Sequence, residues 1–124
     1  MDDRFVSLLS KDAILLAQDR PTLDVDVPEW GGTVRVREMS GNQRAEYEQL
    51  TLKRDQADAD ATADNIRAIV VAACAVDDAG EPLFTQADVA ELGKRNWRAL
   101  DRVFKVCIAL SAATPKATED AAKN

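Results

Sequence analysis

The side chains here that can do chemistry are carboxylates, two thiols, and a few aromatic and arginine groups; imidazole is absent altogether. Without histidine there is no Ser-His-Asp or Cys-His pair and no imidazole base, so the commonest nucleophilic and acid–base sets cannot be assembled. Cys74 and Cys107 are far apart in sequence, form no C-x-x-C and have no histidine to complete a zinc set, so each reads as a small buried apolar residue. The adjacent acids Asp2-Asp3, Asp77-Asp78 and Glu119-Asp120 have the composition of a magnesium or acid–base pair, but solvated turns and termini account for them better. Asp24-Val25-Asp26 falls in a strand pattern, and Asp58-Ala59-Asp60 lacks the glycine and closing glutamate of a calcium loop. Gly31-Gly32 belongs to neither G-x-x-x-x-G-K nor G-x-G-x-x-G. No catalytic residue, cofactor site or metal ligand is assigned, and the chain reads as a non-enzyme.

Recognition chemistry remains. Trp30, beside two glycines at the expected tip of a hairpin, is either folded back onto the domain or offered to a partner. Arg35 and Arg37 make a basic row that could grip an acidic partner, although aspartates on the facing strand also account for them. Trp30, Arg35 and Arg37 are the candidate partner-binding residues. Trp97 and Phe104 share a register with Leu100 and Ile108 and read as core.

Composition narrows the setting. The 124 residues are 46% hydrophobic and carry a net charge of -6, which suits one compact domain with a real core. The acidic balance opposes a phosphate-binding surface, so nucleic acid is not an expected partner. No apolar run approaches the ~20 residues of a bilayer span, and no membrane role is expected. The opening Met1-Asp2-Asp3-Arg4-Phe5 has no basic leader character, which makes the cytoplasm the expected compartment.

The elements that must position these residues can be read in order. Phe5, Leu8, Leu9, Ala13 and Leu16 have helical spacing, with Ser10 as N-cap, a Leu9–Ile14 staple, a start at Lys11 and an end at Arg20-Pro21. From Thr22 the period becomes two. Leu23, Val25 and Val27 alternate with aspartates, Pro28 to Gly32 supply a turn, and Val34 and Val36 alternate with Arg35 and Arg37, giving a β-hairpin over 22–39. Pairing Val27 with Val34 sets Asp26 opposite Arg35 and Asp24 opposite Arg37. The hairpin's valine face must lie on helices, which leaves an exposed edge through which chains could associate.

Ser40 and Gln43 form a capping box for a solvated helix over about 41–54. The alanine- and aspartate-rich stretch 55–64 reads as a loop, with an exposed helix continuation as the alternative. Ile66, Ile69, Val70, Ala73 and Cys74 mark a central core helix over 64–76. A polar turn at 77–82 leads through Leu83-Phe84 back to the core and to a helix capped by Thr85 and Asp88, stapled by Phe84 and Val89 and stopped at Gly93. A last helix over about 95–112 should pack on the Ile66 helix. Residues 113–124 contain no large apolar side chain and read as a disordered tail or linker. The fold class expected is α+β: a single, mainly helical domain over 1–112, with four to five helices and one N-terminal β-hairpin.

The run Leu23-Asp-Val-Asp-Val-Pro-Glu-Trp-Gly-Gly32, continued by Val34-Arg-Val-Arg-Glu-Met-Ser40, and the later Phe84-Thr-Gln-Ala-Asp-Val-Ala-Glu-Leu92 resemble the tail assembly chaperones of long-tailed bacteriophages. The resemblance frames nearly everything from Lys11 to Ser111 and leaves out 55–64 and the tail. It implies an assembly factor that binds the long helical tape measure protein in the host cytoplasm and keeps it soluble while tail tube subunits polymerise around it. Such a factor leaves before the virion is complete. In relatives a frameshifted, longer product recruits the tail tube protein, and the family transfers no catalytic residues. The rival reading is a small structural part of the particle, a head–tail connector or tail completion protein. Self-association is a further expectation.

Overall fold

The structure is a computed structural model that describes residues 7–55 and 66–112. The readings made for Phe5, for 56–64 and for the tail 113–124 lie outside the described residues.

Helix α1 spans Lys11–Leu15, with Ser10 Oγ accepting from Ala13 N–H at 3.0 Å, as the cap predicts. It ends five residues before the expected stop at Arg20-Pro21. The backbone of one turn closes, but no side chain of the segment is buried, so packing does not extend the helix. Strand β1 (Thr22–Val27) and strand β2 (Gly32–Arg37) are joined by a 3₁₀ turn at Pro28–Trp30. Gly31 then takes the left-handed conformation, φ +78°, and its N–H donates to Pro28 O at 3.0 Å.

That turn corrects the register. Asp24 faces Arg35, Val25 faces Val34 and Val27 faces Gly32, so the pairing is slipped by two residues from the expected one, and Arg37 stands opposite Thr22. The loop holds four residues because Gly32 is already in the strand. A slip of two keeps every side chain on its face. The valines therefore still point inward, with Val27 and Val36 fully buried.

Helix α2 (Gly41–Asp55) starts at the expected capping box: Ser40 Oγ accepts from Gln43 N–H at 3.2 Å, and Gln43 Oε1 accepts from Ser40 N–H at 3.0 Å. It lies on the surface, with Tyr47 and Leu50 packed against the core. Helix α3 (Ile66–Cys74) is the central one, and six of its nine residues are buried. It stops two residues short of the expected end, because Ala75–Val76 form strand β3 beside β2, Ala75 pairing with Val36 and Val76 with Arg35. The hairpin thus becomes a three-stranded antiparallel sheet in the order β1-β2-β3.

Asp77 closes the following turn, its Oδ1 accepting from Ala79 and Glu81 N–H at 2.9 Å each, with Gly80 at φ +83°. Phe84 packs against the core, whereas Leu83, expected to enter it, is 48% exposed. Leu83 is held outward because its N–H bonds Ala75 O at 3.0 Å as the chain runs past β3. Asp88 accepts from Thr85 N–H at 2.8 Å and begins a 3₁₀ turn, Gln86–Asp88, that leads into the short helix α4 (Val89–Leu92).

Helix α5 (Trp97–Leu110) is capped by Asn96, whose side-chain oxygen accepts from Ala99 N–H at 3.0 Å. Its buried stripe includes Leu100, Val103, Cys107 and Leu110, and it packs on α3 as expected, across from the valine face of the sheet. Trp97 corrects its reading as core, for it is 63% exposed. At 100° per residue it sits about 120° around the helix from Val103, beyond the edge of the buried stripe. Phe104 lies at the margin, half-buried against the core. Among the described residues the result is an α+β domain of five helices and one small sheet.

Candidate functional site

Three surfaces hold the features that can recognise another chain: the hairpin and its tip, the N-terminal arm, and the grooves beside the sheet and helices.

At the tip, Trp30 is half-buried and packs against the core cluster. The neighbouring Glu29 is tied down too. Arg102 Nη1 donates to Glu29 Oε1 at 2.6 Å and Nη2 to Oε2 at 2.8 Å, a two-pronged pair between the tip and α5. These bonds hold the Glu29 carboxyl down from its ordinary 4.5 to about 2. Nothing in the local sequence signals this pair, because its members are 73 residues apart.

Of the two candidate arginines, Arg35 donates to Asp24 from Nε at 2.7 Å and from Nη2 at 3.1 Å, and these bonds hold the Asp24 carboxyl below its ordinary value. Arg37 is half-buried beside the Asp77–Glu81 turn, in a cleft also lined by Arg35, Thr22 and Arg20. Trp30 is therefore on the inner side of the hairpin and the arginines on its outer side, so the structure does not bring the three together in one patch.

The arm, residues 7–20, carries the largest run of unpartnered apolar surface among the described residues. Leu8 is 92% exposed and Leu16 80%, with Leu9, Ile14 and Leu15 also exposed. Periodicity found these residues but cannot say whether a face is covered. The arm is anchored at its base by Arg20, whose Nη1 donates to Gln43 Oε1 at 3.3 Å, while Gln43 Nε2 donates to Ala73 O at 3.0 Å. One amide therefore joins the arm, α2 and α3.

Two further grooves lie among the described residues. One, of about 610 Å³, runs between α2 and α3 and is floored by Met39, Tyr47, Leu50, Ile69 and Phe84. The other, of about 560 Å³, lies between β1 and α5 and is lined by Leu23, Val106 and the exposed Trp97. In that groove's lining, Asp101 of α5 accepts from Arg67 Nε at 2.8 Å and lies 3.1 Å from Lys105 Nζ. Its carboxyl is held below the ordinary value, first by the Arg67 bond. The two thiols lie in the core, where the hydrogen bond with Cys74 and burial push the Cys107 thiol well above its ordinary value.

Comparison with known proteins places this arrangement. No curated protein matches the chain. Among solved structures, the tail assembly chaperone of bacteriophage HK97 has a similar fold, with a TM-score of 0.60 over 80% of this chain and 94% of that one at 17% identity. A family model described as phage tail assembly chaperone matches residues 13–124, nearly the whole length, and takes in the hairpin, both grooves and the base of the arm. The chain belongs to the phage tail assembly chaperone family.

Proposed function

We propose that this chain binds the tape measure protein of its phage, keeps that long helical client soluble in the host cytoplasm while tail tube subunits polymerise around it, and leaves before the virion is complete. Family membership supports an assembly role. The observation that carries the finer reading is the arm: among the described residues, five large exposed aliphatic side chains on a segment with no buried residue. Surface of that kind marks a protein-binding site. The apolar groove between α2 and α3 has the form that receives an amphipathic helix. A net charge of -6 keeps a loaded complex soluble. Trp30, Arg35 and Arg37 remain partner contacts in this reading, Trp30 from the tip and the arginines from the outer sheet face. Contact with the tail tube protein through a frameshift-extended product, and association of copies with one another, belong to the same proposal.

Co-expression with the tape measure protein tests it. The expected result is that the client stays in the soluble fraction and co-purifies with this chain, and that Leu15→Ser with Leu16→Ser reduces both. A client equally soluble without the chain would overturn the reading. So would finding the chain as a stoichiometric component of purified particles, which is the outcome a connector or completion protein would give.

A further inference from the structure

The sheet ends in an open edge. Glu38 N–H donates to Pro21 O at 2.9 Å at the end of the β1–β2 ladder. Hydrogen-bonded pairs recur at every second residue of an antiparallel ladder. Leu23, Val25 and Val27 therefore exchange bonds with β2, and the backbone N–H and C=O groups of Thr22, Asp24 and Asp26 point the other way. Among the described residues no strand and no loop backbone pairs with that side of β1. Beside the edge lies the groove against α5, lined by Leu23, Val106 and Trp97 and by the cations Arg98, Arg102 and Lys105, with the Arg98 guanidinium 6.0 Å over the Trp97 ring. A half-finished ladder running along a groove with apolar and charged walls is the geometry that takes up an extended peptide.

We propose that this edge and groove bind an extended segment of another protein in which basic residues alternate with apolar ones, added as an antiparallel strand beside β1. Charge selects the occupant. Successive side chains of an added strand alternate between the outer face, next to Asp24 and Asp26, and the inner face, next to Leu23 and the Trp97 wall. The outer positions want cations, and the inner ones, between Leu23, Trp97 and the α5 cations Arg98, Arg102 and Lys105, refuse them and take apolar groups. The other neighbour of β1 already has this pattern: β2 sets Arg35 against Asp24 on the outer face, with Val34 and Val36 turned inward. The incoming strand repeats on the open side what β2 does on the closed side. A second copy of β1 is the wrong occupant, because it would lay one aspartate row against another. The proposal concerns a site and a ligand class distinct from the helical client, and it stands whether or not that client is the tape measure protein.

The test uses the full chain and short synthetic peptides as probes. A peptide of alternating valine and arginine is expected to bind and to slow amide exchange at Thr22, Asp24 and Asp26, with Leu23 and Val25 unchanged. Methylating the peptide's arginine amides, which face β1 in the antiparallel register, should abolish binding, whereas methylating its valine amides should leave it intact. An alternating valine and glutamate peptide should not bind. Asp26→Asn leaves the Asp24–Arg35 pair in place and should weaken binding about two- to fivefold, the effect of one cross-strand charge pair. Equal binding of the arginine and glutamate peptides, indifference to methylation of the arginine amides, or exchange protection located away from β1 would each overturn the proposal, and so would no binding at all.

Discussion

Arg102, in the middle of the last helix, closes a two-pronged ion pair on Glu29 at the hairpin tip, with donor–acceptor distances of 2.6 and 2.8 Å across 73 residues of sequence. The pair pins the turn that carries Trp30 to α5. Its strength depends on pH in a defined sense. The Glu29 carboxyl has its folded value depressed to about 2, so the stabilisation is present above its ordinary 4.5 and is lost as pH falls towards 2.

The corresponding prediction is that carboxyl titration followed by NMR gives Glu29 a midpoint near 2, and that Arg102→Gln moves this midpoint up towards the ordinary glutamate value. In urea unfolding, the parent should exceed Arg102→Gln in stability at neutral pH, and the gap should narrow between pH 4.5 and 2. A gap independent of pH would show that the two groups do not interact in solution.

Two neighbouring residues of α5 should behave oppositely. Leu100 is 5% exposed, and Leu100→Ala should cost about 2–5 kcal/mol through lost burial and a residual cavity. Trp97 is 63% exposed, and Trp97→Ala should stay within about 1 kcal/mol of the parent despite removing a larger side chain. Chemical denaturation of the two variants checks both at once, and comparable losses would return Trp97 to the core.

Trp30 occupies an intermediate position, half-buried against the core cluster. Trp30→Ala should cost ~2 kcal/mol, less than a fully buried aromatic. Trp30→Phe keeps most of the packing and isolates any contact with a client: the expected outcome is a near-parental melt with weaker co-purification. Unchanged co-purification would make the tip a purely structural element.

Cys74 and Cys107 are 1% and 0% exposed. A thiol reagent should modify neither in the native protein, because burial keeps the reagent from both sulfurs, and at Cys107 the hydrogen bond with Cys74 and burial also hold the thiol protonated. Modification should follow global unfolding and reach both cysteines together in denaturant. Rapid labelling of one thiol under native conditions would reveal a local opening between α3 and α5.

The hairpin shows what was legible in the sequence and what was not. Its strands and their faces follow from the alternation of Leu23, Val25, Val27, Val34 and Val36. The register does not, because the valine pattern and the aspartate–arginine pattern share a period of two, so a shift by two residues satisfies both equally. The deciding information is in the turn, where Pro28–Trp30 form a 3₁₀ turn and Gly31 turns left-handed. Strand β3 was hidden for a different reason: Ala75 and Val76 continue the apolar run of α3, and two residues are too few to reveal a change of period. The capping residues Ser10, Ser40 and Thr85 were legible because their partners lie three residues away. The candidate site was less so. Sequence types picked out Trp30, Arg35 and Arg37, but the exposure of Leu8 to Leu16 and the open side of β1 depend on what the rest of the chain leaves uncovered.

The passage from Cys74 to Ala75, where helix becomes strand with no residue between, has a mechanical consequence. Loops absorb displacement by rotating a few backbone angles, and this junction has no such joint. A pull on the hairpin, transmitted through the Arg35–Val76 pair, reaches the end of the central helix two residues away, so load on the sheet becomes load on α3. Tension on the sheet is then felt as strain in the core, where six of the nine residues of α3 are buried.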